Sequence, residues 1–112
     1  MDNVTNNYRN IYAYSSSATA WTVGQSNPDT RMYFGWATTG VPSLITTNLA
    51  NPQTASETQA TSVCSASPGA PTVGMMLFSF RKDDSIQADG ITVFPTSGSI
   101  NGNIRIYGMR NQ

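Results

Sequence analysis

Histidine is absent from the 112-residue sequence, and cysteine occurs once. Without histidine the chain lacks the most common general base and the most common transition-metal ligand in proteins. A single cysteine, Cys64, cannot form a disulfide within the chain or a thiolate zinc site. We therefore predict that Cys64 is a buried, unreactive thiol, that the chain uses no metal or other cofactor, and that it is not an enzyme.

Charge is also scarce. Charged residues make up 11% of the chain, and six basic residues balance six acidic ones, so the net charge is zero. Nucleic-acid binding requires clustered Lys and Arg, and anionic membranes attract polybasic segments. No apolar run approaches the roughly 18 residues of a membrane span. The composition therefore argues against nucleic-acid and membrane partners.

Strong helix formers are few, with one lysine, one glutamate and three leucines. Short alternating segments recur instead, separated by Asn, Asp, Gly and Pro turn signals such as residues 27–29 and 101–102. We predict a single domain over residues 1–112, all-β, folded as an antiparallel, jelly-roll-like β-sandwich of about eight short strands. The predicted strands are residues 8–14, 19–23, 30–37, 43–47, 59–65, 72–80, 91–94 and 103–107.

Residues 73–80 (VGMMLFSF) are apolar on both sides of the predicted strand, whereas a strand with one wet face alternates apolar and polar residues. Two interpretations fit this pattern. The strand is central and its second face is covered by a long loop, or that face forms a subunit interface. We favour the interface, formed by Met76, Phe78 and Phe80, because an exposed row of these side chains would be adhesive.

Acidic residues cluster near one predicted hairpin, at Asp83, Asp84 and Asp89. Two carboxylates held together there could hydrolyse a glycosidic bond, with Asp84 and Asp89 as the pair, or oxygen atoms could bind Ca²⁺. Turn chemistry explains aspartate at these positions equally well. We favour a solvated hairpin tip.

Aromatic rings and abundant amides and hydroxyls are the residue types that bind neutral sugars, through stacking and hydrogen bonds. The two tryptophans also fit core positions, since they share strand faces with Val23, Met32 and Phe34. Alternation further puts Arg31 and Tyr33 opposite Trp36, so these residues cannot all line one flat surface. The candidate carbohydrate-binding residues are Trp36, Tyr33, Trp21 and Arg31, with Asp83 and Asp84 as acceptors of sugar hydroxyls.

Residues 102–110 (GNIRIYGMR) resemble the closing strand of many bacteriophage tail-fibre and tailspike C-terminal domains. In those proteins a Gly-x-Ile-x-Ile/Val-Tyr-Gly-x-Arg segment ends the polypeptide. The resemblance implies a homotrimeric module at the tip of the phage tail, attached to the remainder of a tailspike. It also implies binding to bacterial surface polysaccharide, with any depolymerase active site outside this chain.

Together these features predict a non-catalytic module that binds host capsule or lipopolysaccharide and stabilises a trimer. One alternative is a purely structural trimerisation or folding-chaperone cap with no ligand. Another is a small carboxylate-dependent enzyme that degrades glycans.

Overall fold

The computed structural model describes residues 8–17, 19–37, 40, 42–50, 57–66, 74–83 and 90–108. This part of the chain is all-β and forms one five-stranded antiparallel sheet in the order β2-β1-β5-β4-β3. It contains no helix long and apolar enough to cross a membrane. The strands are β1 (Tyr8–Ser15), β2 (Trp21–Asp29), β3 (Ile45–Ala50), β4 (Thr58–Cys64) and β5 (Met76–Lys82).

The two faces of the sheet differ in exposure. Along β4 and β5 buried and exposed side chains alternate strictly, which is the period of a strand with one covered face. The covered face, here called the inner face, carries Asn10, Tyr12, Tyr14, Thr58, Ala60, Ser62, Cys64, Met76, Phe78 and Phe80. The opposite face, here called the outer face, carries Arg9, Ile11, Ala13, Gln59, Thr61, Val63, Leu77, Ser79 and Arg81.

The core of the protein lies on the inner face. Met76, Phe78 and Phe80 are only 4%, 5% and 4% exposed within the single chain. They therefore cannot form the exposed patch that we predicted as a subunit interface. The other interpretation of this strand, a central strand covered by a different part of the same chain, is the one that the structure shows. The ring of Tyr12 packs at 6.1 Å from that of Phe78.

The cover of the inner face comes from residues 31–37, here called the crossing segment. Strands β2 and β3 form the two opposite edges of the sheet, so the chain that joins them has to cross β1, β5 and β4. Tyr33 of this segment packs against the core cluster. Further along, Gly35 lies so close to Ile45 that a Cβ at this position would collide with the isoleucine side chain. The prediction of a strand over residues 30–37 is wrong, because the segment joins no ladder.

Polar side chains of the inner face hold the crossing segment in place. The Asn10 amide donates to the Arg31 carbonyl over 3.0 Å and accepts from the Tyr33 N–H over 3.0 Å. Ser62 donates to the Phe34 carbonyl over 2.5 Å. Cys64 Sγ donates to the Trp36 carbonyl over 3.2 Å and accepts from the Trp36 N–H over 3.3 Å. These side chains satisfy backbone groups that a sheet ladder would otherwise pair.

Residues 27–29, which we predicted as a turn, form a β-bulge at the end of edge strand β2. Tyr8 pairs with Asp29 and Asn10 with Ser26, so β2 has one residue more than β1 between these pairs. The N–H of Asn10 donates to the Asn27 side-chain oxygen over 2.9 Å, in place of a backbone acceptor. An edge strand with a bulge is where a sheet tolerates proline, because Pro28 has no N–H for a ladder.

Two other predicted strands are not strands in the structure. Residues 91–94 and 103–107 are irregular, and the second range lies within the segment that resembles tail-fibre proteins. Ile104, Ile106 and Tyr107 are 69%, 86% and 81% exposed. The prediction of an all-β, antiparallel fold is confirmed, whereas a count of eight strands is not reached in the described part of the chain.

Replacement of Asn10 by leucine is expected to destabilise the protein by about 3 kcal/mol. The substitution leaves the Arg31 carbonyl and the Tyr33 N–H without the hydrogen bonds that the Asn10 side chain makes with them. Thermal unfolding followed by circular dichroism would show this as a fall in Tm on the order of 10 °C. The same substitution at Asn48, an exposed residue, serves as the control. Equal stability of the two variants would contradict this role for Asn10.

Cys64, which is 0% exposed, is expected not to react with Ellman's reagent until denaturant is added. The Cys64→Ser variant keeps both hydrogen bonds to Trp36, so its stability should stay near that of the wild type. The apolar variant Cys64→Val should lose about 2 kcal/mol, since both backbone groups of Trp36 then lack a partner. Rapid modification of the native thiol would show that the crossing segment opens readily.

Candidate ligand-binding site

Of the six residues predicted to bind carbohydrate, the five that the structure describes do not meet at one site. Arg31, Tyr33 and Trp36 belong to the crossing segment, and Trp21 begins β2. Asp83 follows β5, and Asp84 and the proposed catalytic partner Asp89 lie outside the described residues. The register puts Trp21 and Asp83 at opposite ends of β1, which separates them by about 20 Å.

The two tryptophans are not core residues. Trp21 is 53% exposed and Trp36 is 41% exposed. Trp36 is held at its backbone by Cys64, and Trp21 pairs with Ser15 at the hairpin end of the sheet. Both residues are thus partly exposed, but they lie on different parts of the molecule and do not form one stacking platform.

Arg31 and Tyr33 belong to a cluster around Asp29, where the chain leaves β2 for the crossing segment. Burial by itself would raise the pKa of the Asp29 carboxyl, but hydrogen bonds from Ser26, Thr30, Tyr33 and Arg31 lower that pKa below its usual value. Burial, followed by the hydrogen bond to Asp29, raises the pKa of the Tyr33 phenol.

The Arg31 guanidinium in this cluster lies 4.0 Å from the Asp29 carboxylate and 5.8 Å from the centroid of the Phe94 ring. Arg31 and Tyr33, which we predicted to contact a sugar, thus interact with other residues of this chain. The cluster therefore anchors the start of the crossing segment.

A different part of the surface, on the outer face, is concave and polar. The outer face holds an open depression of about 660 Å³ that spans the five strands, here called the polar groove. The side chains that reach it from the outer face are mainly amides, hydroxyls and guanidinium groups. They are Arg9, Ile11, Gln25, Asn27, Asn48, Ala50, Gln59, Thr61, Ser79 and Arg81.

Strand register arranges the groove residues in rows. One row crosses all five strands and consists of Gln25, Ile11, Ser79, Thr61 and Asn48, each paired with the next. Adjacent strands lie about 4.8 Å apart, so this row is about 19 Å long, the length of a short oligosaccharide. A second row begins with Arg9 and Arg81, which are directly opposite each other.

Arg9 and Arg81 would repel each other at this position, because like charges that face each other across two strands are destabilising. Asp83 lies between them and accepts hydrogen bonds from both, from Arg81 Nε over 2.7 Å and from Arg9 Nε. The hydrogen bond from Arg9, followed by that from Arg81, lowers the pKa of the Asp83 carboxyl below its usual value. Glu57 adds a second carboxylate 3.9 Å from Arg81 Nε.

The charges in the groove therefore cancel, with two guanidinium groups facing two carboxylates. Amides offer donors and acceptors together, and hydroxyls do the same. Such a surface suits an uncharged ligand rich in hydroxyl groups. Among the described residues, no three carboxylate or thiol side chains meet in a way that could hold a metal ion.

None of the groove-lining residues was among the residues that we predicted to bind a sugar, although one of those, Asp83, contacts the groove residues Arg9 and Arg81. We predicted an acceptor for sugar hydroxyls, whereas both of its oxygens are engaged with arginines. Groove residues such as Ser79 and Arg81 are polar positions that alternate with buried ones. That alternation indicates which residues share the exposed face of one strand, but it does not reveal which strands are neighbours in the sheet.

Comparison of the chain with protein-family models, with curated proteins and with solved structures finds no match.

Asp83 is expected to contribute to stability in acid. Its pKa is lowered from 3.8 in the folded state, so its contribution is fully present above about pH 4 and is lost as the pH falls through the lowered value. In Asp83→Asn the free energy of unfolding should be smaller than in the wild type at pH 7, and should fall less between pH 4 and pH 2. Urea titrations at a series of pH values measure both effects.

The matched control is Glu57→Gln, which removes the same charge from the more distant partner of Arg81. This variant retains Asp83 between the two arginines, so the Asp83-dependent loss of stability in acid should remain. An Asp83→Asn profile that parallels the wild type would contradict the role assigned to Asp83.

Proposed function

We propose that this chain is a non-catalytic carbohydrate-binding module and that the polar groove is its binding surface. The observation that carries the proposal is a row of side chains in register across five strands, in which four strands contribute an amide or hydroxyl and β1 contributes Ile11. This row lies beside an arginine pair whose charge is neutralised. The proposed ligand is a neutral stretch of bacterial surface polysaccharide, from capsule or lipopolysaccharide. Ile11, at 51% exposure, offers the apolar contact for the C–H face of a sugar ring.

The carboxylates near the groove argue against hydrolysis of this ligand. A general acid needs a pKa raised towards the working pH, whereas the two arginine contacts lower the pKa of Asp83. Asp83 is therefore suited to hold Arg9 and Arg81 in position. We propose binding without bond cleavage, and any depolymerase activity of a parent tailspike would then reside outside this chain.

The setting that we propose is the tip of a phage tail, where the module would be part of a homotrimeric tailspike or tail fibre. Its support is the resemblance of residues 102–110 to the closing strand of such proteins. The exposure of Ile104 and Ile106 in a single chain is in keeping with an assembly that covers them. The jelly-roll-like sandwich of about eight strands that we predicted for this chain stays a prediction.

A second candidate function is a structural trimerisation cap with no ligand. The observation that favours it is the amount of exposed apolar surface, on the outer face as well as on the C-terminal residues. The two candidates differ in what they require of the polar groove, because a cap does not need its amides and hydroxyls.

Thr61→Ala is expected to weaken glycan binding by about 1 kcal/mol, or roughly fivefold, because it removes one hydroxyl from the middle of the groove. Titration calorimetry with capsule and lipopolysaccharide oligosaccharides, chosen from a broad glycan array, measures the change. The matched control is Thr46→Ala, which removes an exposed hydroxyl outside the groove on the adjacent strand β3.

The expected result is weakened binding by Thr61→Ala and unchanged binding by Thr46→Ala. Equal losses by both variants would place the ligand elsewhere on the molecule. Absence of binding across the whole array would favour the structural cap. Release of reducing ends from any glycan by the isolated chain, abolished by Asp84→Asn, would favour the enzyme.

A further inference from the structure

The outer face has an apolar half beside the polar groove. Val23, Ala13, Leu77 and Val63 are aligned in one row across four strands, paired in that order. Trp21 and Met75 flank this row at the hairpin end, on either side of Ser15. We call these six residues the apolar band.

The apolar band is large for a surface exposed to water. Val23 is 69% exposed, and Trp21, Val63, Met75 and Leu77 are 40–53% exposed. Together the six side chains present on the order of 500 Å² of apolar surface, near the upper end of what a monomer carries. Water-exposed apolar surface of this size marks an interaction site.

The same chain carries a second unpaired apolar element in residues 103–107, here called the C-terminal segment. Ile104 and Ile106 are 69% and 86% exposed, and they belong to no strand. In an extended chain alternate residues point to opposite sides, so the two isoleucines share one side and Arg105 lies on the other. One side of the segment is thus apolar and the other polar.

The C-terminal segment and the apolar band match in size and chemistry. Five extended residues span about 13 Å, and a row across four strands spans about 14 Å. The inner face already shows how an extended segment can cover this sheet by crossing its strands, since the crossing segment does so. A segment that crosses the outer face with its two isoleucines inward would cover the band and leave Arg105 in water.

We propose that the C-terminal segment of one copy of this chain packs across the apolar band of a second copy. The contact is heterologous, because it joins two different surfaces, and repetition around a symmetry axis closes a ring. Each protomer then buries one segment and one band, on the order of 800 Å² of surface, which is the amount per partner found in stable interfaces. A face-to-face dimer of two bands would leave both C-terminal segments exposed.

This inference rests on the self-association in the proposed function, and it is independent of glycan binding. It is tested by sedimentation velocity on the full chain and on two variants. The double variant Ile104→Asp/Ile106→Asp alters only the segment, and Val63→Lys alters only the band. The matched control, Asn101→Asp/Asn103→Asp, adds the same two charges at alternate positions that do not share a side with the isoleucines. Asn103 begins the C-terminal segment, and Asn101 lies two residues before it.

The wild type and the control are expected to be oligomeric. Each of the two interface variants is expected to be monomeric, with an unchanged far-ultraviolet circular dichroism spectrum. An equimolar mixture of the two monomeric variants should form heterodimers, because it holds one intact segment and one intact band. If Val63→Lys does not fold, the double variant alone still tests whether the C-terminal segment forms the contact. Ile104 and Ile106 lie outside the sheet, so their replacement is not expected to prevent folding.

A monomeric wild type would overturn the inference, and so would an oligomeric Ile104→Asp/Ile106→Asp variant. Monomers that fail to pair in the mixture would overturn it as well, because one intact segment and one intact band would then not be sufficient for the contact. Glycan titrations of the same variants report on the polar groove separately, so the loss of one proposal leaves the outcome for the other unambiguous.

Discussion

The fold depends on hydrogen bonds from inner-face side chains to the backbone of the crossing segment. The two edge strands β2 and β3 are consecutive in sequence, so the polypeptide has to traverse the sheet between them. A backbone laid over an apolar face buries N–H and C=O groups that need partners. Asn10, Ser62 and Cys64 supply those partners from β1 and β4. The sheet is thus covered on one side by its own chain, and only the outer face stays open.

The open face contains two chemically distinct halves. In the polar groove, which includes Arg9 and Arg81, the surface is polar with balanced charge, and this suits a hydroxyl-rich ligand. Around Leu77 and Val63 it is apolar, which suits another protein surface. The two halves share strands β1, β2, β4 and β5, so a ligand in one and a partner on the other would be positioned by the same rigid scaffold.

Sequence alternation predicted that the fold is all-β, and five of the predicted ranges overlap the five observed strands, although β2 continues six residues beyond its predicted range. It failed at residues 30–37 because alternation in the sequence does not show whether a segment pairs in a ladder or is held by side chains of the sheet. It also missed the polar groove, whose members Ile11, Thr61 and Ser79 meet only through the strand order. That order depends on where β5 inserts, and no local pattern encodes it. The sequence also did not show that Arg31 and Tyr33, which we predicted to bind a sugar, contact Asp29 of the same chain.

The position of β5 has a consequence for how the chain is made. Strand β5, which follows the other four strands of the sheet in the sequence, lies in the middle of the sheet, between the β1–β2 and β3–β4 pairs. Until Met76–Lys82 has been synthesised, these two halves share no ladder and the inner face is incomplete. Pairings between residues distant in sequence form slowly and leave strand edges open meanwhile. Biogenesis therefore passes through a stage with two unjoined strand pairs, each with an unpaired edge where a neighbouring nascent chain could attach.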